Sequence, residues 1–171
     1  MVVSCARGGR STDLAIAEIS SIPHTPLDIL EIRHRRRESA LTQLVAVAAR
    51  SGVLRDPDVL LETLLLRERL GTTALGKGVA VPHAHSITVS RTHVVLGRSA
   101  HGLDWRASDA EPVRLAWLVL TPSEMSDEQH HARVAAAVSA LRLQRQRQRL
   151  IEAASADVVV RLLREWNAWM P

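Results

Sequence analysis

The chain has no phenylalanine, no tyrosine and only one cysteine, Cys5. A single thiol closes no internal disulfide, so the fold must rest on packing, as suits a reducing compartment. With four tryptophans as its only aromatics, the core must be built from Leu, Val, Ile and Ala. No apolar run approaches the roughly 20 residues needed to cross a bilayer, which excludes membrane insertion by a helix. Residues 1–24 lack the long apolar segment of a secretory signal. They are expected to form a flexible leader, with a short helix at 14–22 stopped by Pro23 and Pro26. These absences together point to the cytoplasm.

Lysine is nearly absent too, Lys77 being the only one, so the positive charge is almost all arginine. The 22 basic and 18 acidic side chains leave a net charge of +4. Because the arginines are spread along the chain, codon bias in a GC-rich genome accounts for them. The densest run, "RLQRQRQRL" at 142–150, has no aromatic rings among its arginines for base stacking. It reads as a solvated helix face, and no nucleic-acid partner is expected.

What is present is globular: 46% hydrophobic and 23% charged residues over a length that suits one domain, here 25–171. "LDILEI" (27–32) reads as a first strand. Leu41, Leu44, Val45 and Ala48 then recur at helical spacing over 38–50, closed by Gly52. Asp56 and Pro57 supply an N-cap and a first-turn proline for a helix over 57–70, ended by Gly71. The period then changes. "VAV" (79–81), "HVVLG" (93–97) and "VRLAWLVL" (113–120) read as strands, with "HGLDW" (101–105) as a turn. The third of these is apolar on both faces, which places it mid-sheet under helices on both sides. Helices are expected over 127–142, over 144–154, and after a Ser155 cap. The fold class is α/β, three layers around a mixed β-sheet.

Among polar residues, His83 follows "VAVP". Proline pushes the residue before it towards extended geometry, so the imidazole is delivered rigidly at a strand end, where sites of α/β proteins gather. Arg67 follows Leu60, Thr63 and Leu64 at helical spacing, on the inward-leaning stripe at the helix C-terminus. There it either favours the negative end of the dipole or aims a guanidinium at an oxyanion. His130 and His131 open the 127–142 helix on either side of its Val134, Val138 and Leu141 stripe, so spacing does not choose between them. No residues match a zinc-ligand pattern, and no P-loop, GxSxG or GxGxxG motif occurs. Neither metal nor cofactor is expected.

"RERLGTTALGKGVAVPHAHS" (67–86) resembles the signature of the enzyme IIA components, fructose/mannitol class, of the phosphotransferase system. The nitrogen-regulatory members look most similar. A weaker likeness runs over most of 27–166, through "GLDW", "VRLAWLVLTP" and "EQHHARVAAAVSAL". The resemblance implies a mixed-sheet α/β/α sandwich and a phosphoryl carrier. His83 matches the phosphorylated histidine, Arg67 the active-site arginine, and aligning "QHHARVAA" selects His131 as the second histidine. Position 85, often arginine in that class, is histidine here. The implied donor is the small histidine phosphocarrier protein. The acceptor is a IIB subunit or a regulatory target, and the alternative is a catalytically silent interaction module.

Overall fold

A computed structural model describes residues 27–166; the expected leader and its 14–22 helix lie outside the described residues. The chain runs β1 (Leu27–Glu31), α1 (Arg37–Arg50), α2 (Pro57–Leu70), β2 (Ala74–Gly76), β3 (Val79–Ala80), β4 (His83–Ser86), β5 (His93–Leu103) and β6 (Val113–Pro122). It ends with α3 (Asp127–Ala140), α4 (Gln144–Glu152) and α5 (Ala156–Glu165). The strands form one mixed sheet in the order β1-β5-β6-β3-β2, with β4 also on β6. β5 is antiparallel to β6, whereas β1 is parallel to β5, and β3 and β4 both lie parallel to β6.

β6 is the spine, as its two apolar faces require. Ala116, Leu118 and Leu120 pack with Leu41, Leu44, Leu60 and Leu64 of α1 and α2. Leu115, Trp117 and Val119 meet Ala137, Leu150, Val159 and Leu163 of α3, α4 and α5 on the other side. Strand alternation thus builds two cores from one segment and gives the three expected layers. Each fully buried aliphatic side chain adds roughly 1.5–3 kcal/mol. Close approach demands a glycine at 97, where a Cβ would stand 2.5 Å from Ile32 Cδ1.

Local chemistry sets the helix ends. Asp56 accepts from the Val59 amide at 3.1 Å and Ser155 from the Val158 amide at 3.4 Å, both as predicted. Gly52 takes φ +67° just past α1. Ser126 and Gln129 close a reciprocal capping box on α3. Two strand expectations change. β5 continues through His101 and Gly102 to Leu103, where a turn is predicted, because Leu103 pairs with Val113 after a register shift. His83 opens a strand of its own rather than ending β3.

A histidine cluster at the sheet edge

Pro82 makes the site. Val81 still donates to Thr73 O at 3.0 Å, and Val119 donates to Pro82 O at 3.0 Å. Between them the proline, with no N–H and a fixed φ, interrupts the ladder and β4 restarts on β6 at His83. The Val81 carbonyl accepts from His83 Nδ1 at 2.9 Å. A carbonyl only accepts, so Nδ1 carries the proton and Nε2 keeps its lone pair. His83 is half-buried.

Strand alternation puts His83 and His85 on one face, opposite Val119 and Thr121. The first turn of α3 covers that face. The His130 ring lies 5.7 Å from His83 and stacks on His85 at 5.1 Å with 12° between planes. His131 meets His130 edge-on at 5.4 Å. Four imidazoles therefore form one cluster with His130 at its hub. His130 is buried and its Nδ1 lies 2.7 Å from Thr121 Oγ1; His131 is exposed and its Nδ1 donates to Asp127 O at 2.7 Å. Asp127 Oδ1 approaches His85 Nδ1 at 3.3 Å, while His85 Nε2 is buried without a partner among the described residues. Burial, then the positive charge that His83, His85 and His131 would carry, pushes the His130 pKa below its ordinary value; Asp127 opposes this.

Arg67 departs from the inward stripe drawn for it. It is exposed, and its Nη1 donates to Gly71 O at 2.9 Å across the C-terminus of α2. The inward place belongs to Leu60, Leu64 and Glu68. Glu68, 4% exposed, accepts from the Thr73 amide at 2.9 Å, the Thr73 hydroxyl at 2.6 Å and Trp105 Nε1 at 3.0 Å. Arg37 Nη1 stands 4.0 Å away. This carboxylate ties the end of α2 to the segment that leads into the histidine strand. Sequence reasoning passed over it, although its four-residue spacing from Leu64 was the signal. Arg133, one helical turn beyond His130, was passed over as well. Its Nη1 is buried without a partner among the described residues, and burial holds its pKa below the usual arginine range.

No group of three or more His, Cys, Asp or Glu able to hold a metal ion occurs among the described residues. No described helix is long and apolar enough to cross a membrane.

A mixed-sheet α/β/α sandwich with a histidine cluster on one strand edge defines the class. The family model for the phosphoenolpyruvate-dependent sugar phosphotransferase system, EIIA 2, matches residues 28–166, and the chain belongs to that family. The chain is 33% identical over 153 residues to the fructose-specific EIIA component of Haloferax volcanii, covering 88% of this chain and 97% of that protein. The nitrogen regulatory protein IIA-Ntr of Neisseria meningitidis superposes with a TM-score of 0.72 at 25% identity, over 80% of this chain and 92% of that one. The Escherichia coli mannitol enzyme IIA, solved in complex with its phosphorylated enzyme IIB, shares the fold. Its TM-score is 0.68 at 22% identity, over 81% of this chain and 94% of that one.

Proposed function

We propose that this chain is a cytoplasmic phosphoryl carrier that takes the group on Nε2 of His83 and passes it on. The carrying observation is the hydrogen bond from His83 Nδ1 to Val81 O at 2.9 Å, which fixes the ring and leaves Nε2 free. A neutral imidazole is a good nucleophile near pH 7 and a good leaving group afterwards, so one residue serves loading and unloading. The donor is the histidine phosphocarrier protein. Its N–P bond breaks, the electron pair returns to its own imidazole, and a new N–P bond forms to His83 Nε2. Such transfers rely on positioning and on charge around the equatorial oxygens rather than on covalent assistance.

We assign the hydrogen bond to the phosphoryl oxygens to His130, in place of the His131 expected from the motif. The His130 ring is buried at the hub of the cluster, 5.7 Å from the His83 ring, and its Nδ1 is held 2.7 Å from Thr121 Oγ1, which leaves Nε2 as the nitrogen available to a phosphoryl group. With the ring proton on Nε2, His130 donates a hydrogen bond to the phosphoryl oxygens. His131 has the opposite tautomer: its Nδ1 proton goes to Asp127 O, and its neutral Nε2 only accepts. Arg67 supplies charge after leaving Gly71 O, a single exposed hydrogen bond of about 1 kcal/mol. The acceptor is a separate IIB subunit or a regulatory target.

Incubation with phosphoenolpyruvate, enzyme I and the phosphocarrier tests this reading. The expected product is one acid-labile, base-stable phosphate per chain, absent from His83→Ala. A native protein that takes up none is instead a silent interaction module.

A further inference from the structure

The basic run at 142–150 has no part in that chemistry. It lines a groove of about 710 Å³ beside the start of β6, far from the histidines. With β6 rising roughly 3.3 Å per residue, Leu115 in the groove and Thr121 beside His130 stand about 20 Å apart. Lys77, Arg114, Arg142 and Arg147 face Glu111, the one carboxylate in the wall. Arg147 is structural: its Nη1 donates to Leu141 O at 3.0 Å and Arg142 O at 2.9 Å, fixing the turn on which Arg142 is mounted. The side chains of Lys77, Arg114 and Arg142 have no partner among the described residues, and Glu111 pairs with none of them. Three cations of the groove lining are thus left without a partner among the described residues although a carboxylate stands in the same wall.

Two further features raise the local potential. Helix α4 opens at this groove, with no side-chain cap on Leu143 and no acid in its first turn. Lys77 sits between Gly76 (φ +77°) and Gly78 (φ +73°) at the hairpin of β2 and β3, itself at φ +55°. Asp109 Oδ2 clamps its amide at 2.6 Å. Asn or Gly suits that backbone better than a long side chain, so the chain's only lysine is kept there against local preference.

We propose that this groove is a second anion site, taking a phosphorylated small molecule with at least two negative charges. Its volume fits a ligand between a sugar phosphate and a nucleotide in size. Nucleic acid is disfavoured because no aromatic ring lines the groove for stacking. The proposal is independent of phosphate uptake on His83.

Calorimetric titration of the full chain with inorganic pyrophosphate, and separately with ATP without magnesium, tests it at two salt concentrations. Saturable one-to-one binding is expected with either probe, and a tighter ATP complex would mean that the apolar wall is also used. The Arg114→Gln/Arg142→Gln double variant, altered only at exposed positions, should bind about tenfold more weakly or worse. Lys77→Asn should weaken binding less while keeping the turn. His83→Ala should bind like the native chain. The proposal is overturned by no saturation at millimolar probe, by full binding in the double variant, or by loss of binding in His83→Ala, which would place the anion among the histidines. Duplex DNA that binds the groove in preference to both probes would overturn it too.

Discussion

Two polar clusters bracket the same stretch of chain, and they are built in opposite ways. At one end the Glu68 carboxylate collects three donors, from Thr73 and Trp105, and is sealed from solvent. At the other end four imidazoles lean on one another, His85 Nε2 has no partner among the described residues, and the Val81 bond leaves His83 Nε2 open. A buried polar group with every bond made is a tie; one held in place with an atom left over is poised for a visitor. The first cluster therefore belongs to stability and the second to chemistry, and substitutions should separate them.

The largest contrast is expected between His83→Ala and Glu68→Ala. The first should abolish phosphate retention while moving the unfolding free energy by less than about 1 kcal/mol, since the ring is only half-buried. The second should lower stability in urea by about 3 kcal/mol, because three donors lose a charged acceptor inside the protein. A Glu68→Ala chain as stable as the native one would show that the tie is not needed. The next contrast lies within the histidines. His130→Gln should slow phosphoryl transfer about tenfold to a hundredfold in rapid-quench measurements, the loss of one donor to a developing charge. His131→Gln should change it less than about threefold. Equal effects would dissolve the distinction drawn between hub and rim.

How legible these clusters were follows from what packs against them. Caps and helix ends were readable because Asp56, Pro57, Gly52 and Ser155 act on their own neighbours. β6 was readable because an all-apolar strand has one kind of place in a sheet. β4 was not: "HAHS" has no strand propensity, and it is a strand only because β6 offers Val119 to Pro122 as a parallel partner. Glu68 was hidden because a charged residue reads as exposed, which shifted the buried stripe of α2 onto Arg67. His130 was hidden by a similar bias. The valines of α3 suggested its stripe, yet the helix buries His130, Ala137 and Ala140, small residues that let it lie close to the sheet.

A gentler probe of the comparison is acid. Burial lowers the pKa of His130 and, despite Asp28 at 2.9 Å from its Nε2, of His93. Their folded values lie below the ordinary 6.5, so the unfolded chain binds more protons between the two. Stability is then complete above pH 6.5 and falls as the pH drops through that window. Melting curves from pH 7.5 to 5 should show the fall, with a shallower slope in His130→Gln. A variant whose slope equals the native one would remove His130 from this account.

The smallest effect expected tests whether an open group is always kept at some expense to the fold. Lys77 occupies a left-handed position that asparagine adopts more readily, so Lys77→Asn should stabilise the chain, by a few tenths to about 1 kcal/mol. The Asp109 clamp on the residue 77 amide remains, because it is made to the backbone. The same substitution removes one of three unpaired cations from the groove and should loosen its hold on pyrophosphate. Opposite signs in urea melts and in anion titration would make Lys77 a group retained for binding against local preference, as the histidines are at the far end of β6. A gain in stability with unaltered anion affinity would instead leave the lysine as an ordinary exposed side chain on an awkward turn.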